Sequence, residues 1–109
     1  MRILPNPISF LWDEGNVDKN LKKHNVTVSE AEEMFLVEPF VTFEDEIHST
    51  VTEKRYQGLG QTKTGRKLFV AFTLRDRRIR VISIRDMKKK ERNNYEQFEK
   101  NLTFLKQRG

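Results

Sequence analysis

Arginine is the residue type whose placement carries most chemistry in this sequence. Seven arginines occur within 27 consecutive positions: Arg66, Arg75, Arg77, Arg78, Arg80, Arg85 and Arg92. A guanidinium donates its hydrogen bonds in a planar fork that matches the oxygens of a phosphate. The cluster therefore predicts phosphate binding, provided that the folded chain brings several of these side chains to one surface.

The distribution of charge favours a polyanionic partner. Residues 1–53 carry four basic and eleven acidic side chains, whereas residues 54–109 carry seventeen basic and five acidic ones. The two parts have net charges of −7 and +12 within the total of +5. Such an asymmetry in a small chain most often indicates nucleic acid. The alternative is a domain whose excess lysines are merely solvated.

Composition excludes several classes of site. Without cysteine the sequence cannot form a disulfide framework, an iron–sulfur cluster or a thiolate zinc site. Its two histidines lie 24 positions apart, so we expect no metal and no cofactor. No stretch approaches the roughly 20 apolar residues of a transmembrane helix, and the N-terminus lacks a signal-peptide pattern. We therefore expect a cytoplasmic protein without a membrane partner.

The length of 109 residues fits one domain. Pro5 and Pro7 predict a short extended tail, because neither proline suits a regular helix. We interpret residues 1–7 as an N-terminal extension and residues 8–109 as a single domain. The domain begins with a β-rich apolar run over residues 8–12, which predicts a short strand.

Two brief helices are predicted before the sheet. The first runs from an N-cap at Asp13 to about Lys23, with Val17 and Leu21 facing the core together. The second begins at a capping box, in which Ser29 and Glu32 would satisfy each other's backbone amides, and it ends before Pro39. Its predicted buried stripe consists of Ala31, Met34 and Phe35.

From residue 40 the apolar pattern changes to the period of two that is typical of strands. Strands are predicted over residues 40–43, 54–60, 67–74 and 78–85. Gly65 is expected at a positive φ in the turn before the third strand. The short connections predict an antiparallel meander. The buried side of the third strand is predicted to consist of Leu68, Val70, Phe72 and Leu74.

A final helix is predicted from about Met87, after an N-cap at Asp86. One stripe of it would dock on the sheet, and consists of Tyr95, Phe98, Leu102 and Leu105. The chain thus reads as an α+β domain, with an antiparallel-rich sheet, two short N-terminal helices and one C-terminal helix.

Ten short motifs follow one another over about residues 8–95, and each alone is weak. They are Phe10-Leu11-Trp12-Asp13-Glu14, Asn20-Leu21-Lys22-Lys23-His24-Asn25-Val26, Ser29-Glu30-Ala31, His48-Ser49, Glu53-Lys54-Arg55, Gly58-Leu59-Gly60, Gly65-Arg66, Thr73, Arg80-Val81-Ile82-Ser83-Ile84-Arg85 and Glu91-Arg92-Asn93-Asn94-Tyr95. In this order and spacing they resemble the BrnT family, the ribonuclease toxins of BrnT/BrnA type II toxin–antitoxin systems. Two positions depart from the family's usual pattern. Ile84 replaces an alanine, and Glu46-Ile47 replaces Asp-Pro before the His-Ser pair.

The resemblance implies a fold similar to the RelE-like ribonucleases, a mixed sheet with helices on one side. It implies a metal-independent endoribonuclease that a BrnA-like antitoxin neutralises. DNA would be contacted only indirectly, through the antitoxin of a complex that represses its own operon. The alternative is a non-catalytic relative of the family that binds nucleic acid or an antitoxin.

RNA can be cut without a metal when its own 2′-hydroxyl attacks the neighbouring phosphorus. Arginines can stabilise the charge that develops on phosphorus, and the candidate clamps are Arg55, Arg66, Arg80 and Arg85. Strict alternation along the last strand places Arg80 and Arg85 on opposite faces, unless a bulge or the end of the strand turns Arg85 round. We therefore expect Arg55 and Arg66, with one of the other two, to hold the phosphate.

A proton carrier is also required, because arginine does not titrate near neutral pH. The candidates are His24, His48, Glu53 or a lysine with a lowered pKa. His24 is one candidate, and capping the first helix is its alternative role. Glu53 is another, since it shares a strand face with Arg55, and a surface ion pair is the competing interpretation. His48 is interpreted as a solvated loop residue rather than a catalytic one.

The remaining basic residues are predicted to contact the RNA backbone. They are Lys54, Lys88, Lys89, Lys90 and Arg92. Three consecutive lysines in the first turn of a helix oppose its macrodipole, which favours a phosphate or an acidic antitoxin segment at that point. Trp12 and Tyr56 can stack on bases, although single aromatics beside strands more often lie in the core.

Overall fold

The strands form one antiparallel meander in the computed structural model of the chain, which describes residues 4–108 (the backbone alone for 16–18, 20–21 and 103–108). Hydrogen bonds join, in this order, β1 (Val41–Glu44), β2 (Arg55–Gln61), β3 (Lys67–Arg75) and β4 (Arg78–Asp86). The helices are α1 (Glu14–His24), α2 (Val28–Leu36) and α3 (Lys89–Arg108). The predicted α+β class, with an antiparallel sheet and a C-terminal helix, is confirmed.

Two tight turns set the strand pairing. Asp76 and Arg77 have φ values of 52° and 60°, the left-handed conformation that a two-residue type I′ hairpin turn requires. β4 therefore folds directly back on β3. Gly65 has a φ of 89° before β3, where glycine avoids the steric cost of a Cβ. The predicted turn at Gly65 is confirmed.

The N-terminal segment pairs with the edge of β4 over a shorter length than predicted. A single parallel bridge joins Phe10 to Ile79, and backbone hydrogen bonds of 2.8 Å flank it. The prediction of a strand over residues 8–12 is therefore wrong. Pro7 has no N–H to donate, and the chain enters α1 at Glu14, so few residues remain to pair.

α2 begins at a capping box that lies two residues before the predicted one. The Thr27 hydroxyl accepts from the Glu30 amide at 3.1 Å, and the Glu30 carboxylate accepts from the Thr27 amide at 3.1 Å. The prediction of Ser29 and Glu32 is wrong, because both pairs satisfy the same spacing. Glu32 instead accepts from the indole of Trp12 at 2.9 Å. The predicted buried stripe is confirmed, and consists of Ala31, Met34 and Phe35.

The sheet carries helices on both faces. On the first face, Leu68 and Val70 of β3 share the main core with α2. On the second face, Phe69 packs in a smaller cluster with Tyr95 of α3. Since successive strand residues point to opposite faces, α2 and α3 lie on opposite sides of the sheet. The expectation of helices on one side only is wrong, because Phe69 presents a second apolar surface that needs cover.

α3 docks on the sheet through Tyr95, which is fully buried and donates its hydroxyl proton to the Pro39 carbonyl. Phe98, from the same predicted stripe, is 46% exposed. Three positions turn a helix by about 300°, so Phe98 lies to one side of the buried line, and the prediction is wrong at this residue. The side chains of Val17, Leu21 and Leu105 lie outside the described residues.

The close contact between β2 and α2 predicts a sharp difference between two glycines. A Cβ at Gly60 would lie 2.5 Å from the Met34 carbonyl oxygen, whereas at Gly15 its nearest neighbour would be 3.6 Å away. We expect Gly60→Ala to lower the free energy of unfolding by about 1–3 kcal/mol through overpacking. Gly15→Ala, inside α1, should raise it by roughly 0.5–1 kcal/mol.

Urea unfolding of both variants and of the parent chain measures this difference. Equal stability of the two alanine variants would contradict the described contact between Gly60 and α2.

Candidate active site

A row of polar side chains crosses the second face of the sheet at the end that is remote from Phe69. Arg55 of β2 lies opposite Thr73 of β3, and Thr73 lies opposite Arg80 of β4. Directly paired residues project to the same face, so the two guanidiniums flank a short threonine. We call these three residues the arginine row. The side chains of Arg55 and Arg80 are 40% and 31% exposed, and both can therefore reach a ligand.

The next positions along the strands form a shallow floor. Gln57 lies opposite Ala71, and Ala71 lies opposite Ser83. All three are half-buried, and two of them have short side chains. Because α3 covers the part of this face around Phe69, the floor lies between the arginine row and the helix. The floor therefore separates the arginine row from α3.

A β-bulge in β4 turns Arg85 to the second face. Ala71 pairs with Ser83, but Phe72 pairs with Val81, so Ile82 is an extra residue. The buried positions shift accordingly, from Ile79 and Val81 before the bulge to Ile84 after it. Strict alternation, which placed Arg80 and Arg85 on opposite faces, is thus corrected. Because of the bulge, the side chains of Arg80 and Arg85 share one face of the sheet.

Arg85 is engaged on that face by neighbouring side chains. Its guanidinium carbon lies 4.1 Å from the centroid of the Phe69 ring, a cation–π contact. Two nitrogens donate to the two oxygens of Glu91 at 2.8 and 3.1 Å. Burial raises the pKa of Glu91, but hydrogen bonds from Arg85 and from the Lys88 amide outweigh it and lower the pKa. Arg85 therefore fixes the start of α3 beside the floor.

A histidine–aspartate pair lies at the edge of the arginine row. Asp45 follows β1, and its amide donates to the Arg55 carbonyl at 2.8 Å. One Asp45 oxygen contacts His48 Nδ1 at 2.8 Å and accepts from Gln57 Nε2 at 3.1 Å. Burial raises the pKa of Asp45, but hydrogen bonds from His48 and Gln57 outweigh it and lower the pKa below its ordinary value. We call Asp45 and His48 the dyad.

The contact with Asp45 holds the imidazole of His48 in one orientation. A neutral His48 that donates from Nδ1 to the carboxylate presents an unprotonated Nε2. The ring is exposed, so Nε2 is accessible to a substrate on the open face. This contact was missed from the sequence, where His48 was interpreted as a solvated loop residue. Its one signal was a carboxylate three positions earlier, a spacing that is common in turns.

Glu53 and Lys54 lie near the arginine row but are paired. Glu53 accepts from Arg75 at 3.0 Å, and its other oxygen lies 3.6 Å from Arg55 Nε. Lys54 Nζ lies 3.7 Å from a Glu44 oxygen. Glu53 is therefore placed beside Arg55 as predicted, and the ion-pair interpretation describes its contacts.

Arg66 lies at the opposite end of the sheet and binds the protein itself. It donates to both oxygens of Asp86 at 2.8 and 3.1 Å, to Glu30, and to the backbone carbonyls of His24 and Asn25. These contacts raise its pKa, chiefly through the hydrogen bond to Asp86.

The expected joint clamp of Arg55 and Arg66 is therefore wrong. Thr73, opposite Arg55, is seven residues from Arg66 along the chain, or about 23 Å of strand. His24 lies beside Arg66 rather than beside the arginine row, because its carbonyl accepts from that guanidinium at 3.1 Å.

The predicted RNA-binding residues of α3 form a separate exposed group at its start. These are Lys88, Lys89, Lys90 and Arg92, all solvent-exposed. The carboxylate of Glu91 accepts from the Lys88 amide at 2.8 Å, and so supplies the negative charge that the helix terminus favours. Glu91 therefore offsets part of the unfavourable interaction between the three lysines and the helix macrodipole.

The two candidate stacking residues belong to the core. Tyr56 stacks on Phe72 with ring centroids 5.5 Å apart, and Trp12 stacks on Phe10 at 6.2 Å. Both pack against the main core on the first face. The core interpretation of these aromatics is confirmed.

Neither a metal site nor a membrane-spanning helix is found among the described residues. Among the side chains that are described within residues 4–108, no three from histidine, aspartate or glutamate converge in a way that could hold a metal ion. In the same part of the chain, no helix is both long and apolar enough to cross a bilayer.

Comparison with known proteins identifies the family. The model of the family described as "Ribonuclease toxin, BrnT, of type II toxin-antitoxin system" matches residues 12–91. The chain belongs to the BrnT family. A search of curated proteins gave no match. The BrnT match includes the arginine row, the dyad and Arg66, whereas Phe98 and the rest of α3 follow it.

The contacts of Arg66 predict a pH-dependent stability for this BrnT protein. The Thr27 amide and Arg66 lower the pKa of Glu30, and Arg66 lowers the pKa of Asp86. Because both pKa values are lower in the folded chain, the stabilisation is complete at neutral pH and is lost as the pH falls below about 4. We expect Arg66→Met to cost about 2 kcal/mol at pH 7, and much less at pH 3.

Thermal unfolding of the parent chain and of Arg66→Met between pH 7 and pH 3 tests this. Arg66→Lys, which keeps the charge but not the planar fork, should fall between the two. A difference in Tm that stays constant with pH would contradict this assignment.

Proposed function

We propose that this chain is an endoribonuclease toxin that cuts RNA at the arginine row, through attack of a ribose 2′-hydroxyl on the adjacent phosphorus. The observation that carries the proposal is the position of the dyad beside Arg55, whose partly exposed side chain shares one face of the sheet with that of Arg80. Membership of the BrnT family supports the ribonuclease class. Arg66 and Arg85 are bound by carboxylates of the protein itself, which favours Arg55 and Arg80 as the phosphate-binding pair.

The side chains divide the reaction as follows. His48 Nε2 takes the proton of the 2′-hydroxyl, and Asp45 stabilises the imidazolium that forms. Arg55 and Arg80 donate to the phosphate oxygens as their charge grows. The bond from O2′ to phosphorus forms and the bond to O5′ breaks, which leaves a 2′,3′-cyclic phosphate and a 5′-hydroxyl. The leaving oxygen takes its proton from solvent.

The ion pairs of Arg55 and Arg80, which together form the proposed phosphate clamp, leave both guanidiniums available to a phosphate. Arg80 Nη2 lies 3.6 Å from Asp13, and Arg55 Nε lies 3.6 Å from Glu53. Arg66, in contrast, meets Asp86 at 2.8 Å within a set of six hydrogen bonds. Long and solvent-exposed pairs contribute little energy, so a phosphate can replace the carboxylates at Arg55 and Arg80.

We also propose the finer features that the family suggests. Residues 8–109 constitute one BrnT-like domain, related in fold to the RelE-like ribonucleases, with residues 1–7 as an extension. A BrnA-like antitoxin neutralises it and alone contacts DNA. The exposed cations Lys88, Lys89, Lys90 and Arg92 supply a second positive surface for the RNA backbone or for an acidic antitoxin segment.

Substitution of the clamp tests the proposed site. We expect the parent chain to cut single-stranded RNA in EDTA, and Arg55→Ala and Arg80→Ala each to lower kcat/KM by roughly 100- to 1,000-fold. Arg77→Asn, in the exposed hairpin turn, removes the same charge and should cut at the parent rate. Circular dichroism checks that all variants fold. Undiminished cleavage by both alanine variants would remove this surface from the reaction.

The dyad makes a separate prediction. His48→Ala should lower kcat by roughly 100- to 10,000-fold, the usual range for losing a general base. Asp45→Asn should cause a smaller but clear loss, since the amide no longer holds the ring in the required tautomer. Glu46→Gln removes an exposed acidic charge from the same loop and is the matched control.

Single-turnover cleavage rates measure these effects at saturating RNA. If Asp45→Asn and Glu46→Gln behave alike, the dyad has no catalytic part. If the parent chain binds RNA but never cuts it, the alternative of a non-catalytic binding relative replaces the nuclease.

A further inference from the structure

A groove of about 450 Å³ lies between α3 and the second face of the sheet. Its apolar part includes the rings of Phe43, Phe69 and Phe98, and its polar part includes the amide side chains of Gln57, Asn94 and Gln97. A volume of this size is typical of sites for small molecules. We call it the α3 groove, and no step of the proposed cleavage uses it.

Two aromatic rings in the groove are unusually accessible. Phe43 is 48% exposed and Phe98 is 46% exposed, although one is in β1 and the other in α3. Phe69, at the base, is half-buried beneath Arg85. Exposed rings on facing elements offer flat surfaces on which a planar heterocycle can stack.

The amides supply hydrogen-bonding groups of both kinds. Each carboxamide presents donors and an acceptor, as the edge of a nucleobase does. Asn94 and Gln97 are exposed, and neither side chain has a hydrogen-bond partner among the described residues. Gln57 donates one bond to Asp45, and its side-chain carbonyl oxygen is a further acceptor.

The α3 groove differs in charge from the arginine row beside it. Among the described residues that line it, Glu91 alone is charged, and Arg85 binds that carboxylate at 2.8 Å. The groove is thus suited to a neutral ring rather than to a phosphate. Gln57 lies two residues from Arg55 on the same face of β2, or about 7 Å, which is within the span of one nucleotide.

We propose that the α3 groove binds a nucleobase of the RNA whose phosphate lies at the arginine row, with Phe43 and Phe98 as stacking surfaces and the three amides at the base edge. This inference rests on the proposed function, because it takes RNA as the ligand. It adds a base-recognition site to a clamp that contacts only the backbone. A protein segment is the less suitable occupant, because a groove of about 450 Å³ has the size of a small-molecule site.

Binding of uncleavable oligonucleotides tests the groove apart from catalysis. The probes are a fluorescein-labelled 2′-O-methyl decanucleotide and an abasic decanucleotide of the same backbone, which has the same phosphates and so the same electrostatic attraction. Fluorescence anisotropy at one fixed salt concentration gives the Kd of each. We expect Phe43→Leu and Phe98→Leu to weaken binding of the base-containing strand by roughly 5- to 150-fold, the range that one stacked base contributes. Binding of the abasic strand should not change.

Two matched variants complete the design. Val51→Ala shortens a fully exposed apolar side chain away from the groove and should change neither Kd. Arg55→Ala should weaken both strands by the same factor, because it removes a backbone contact. Asn94→Ala and Gln97→Ala, on the exposed surface of α3, test the groove without risk to the core, and should weaken binding of the base-containing strand alone.

The outcomes distinguish this inference from the proposed function. Equal effects of the groove variants on both strands, or no effect on either, would overturn the nucleobase site. The second result is also what a protein-docking groove would give. Base-dependent binding by a parent chain that does not cut natural RNA would support the groove and reject the nuclease.

Discussion

The register of β2, β3 and β4 is the constraint on which the candidate site depends. Three cross-strand partners, Arg55, Thr73 and Arg80, stand in line only because the two hairpins fix which residues face each other. A slip of one residue would turn the guanidiniums of a strand to the apolar first face. The type I′ turn at Asp76 and Arg77 is therefore as important to the site as the arginines themselves.

The structure divides the arginines into two groups that composition cannot distinguish. Arg66 and Arg85 are satisfied by short, forked contacts with carboxylates, and they hold α2 and α3 to the sheet. Among the described side chains, the ion pairs of Arg55 and Arg80 are longer, at 3.6 Å each, and partly exposed. Many arginines near one another in sequence thus predict phosphate binding, but they do not indicate which of them the fold engages in its own ion pairs.

The sequence predicted the parts of the fold that follow from local patterns. Alternating apolar residues located β3 and β4, and helical spacing located the buried stripe of α2. Three features needed information that is not local. Two overlapping capping boxes compete at the start of α2, the extra residue Ile82 reverses the alternation of β4, and the Asp45–His48 contact depends on how the loop after β1 returns to Arg55.

The opposite charges of the two parts of the chain partly neutralise each other in the folded protein. Acidic residues of the N-terminal part pair with basic residues of the C-terminal part, as Glu30 does with Arg66 and Asp13 with Arg80. The difference of charge along the sequence therefore overstates the positive potential at the surface. Under the proposed function, the cations that contact a polyanion are the smaller set whose ion pairs are long and partly exposed, because such pairs contribute little energy. The two 3.6 Å pairs of the arginine row meet that condition, and the 2.8 Å pairs of Arg66 do not.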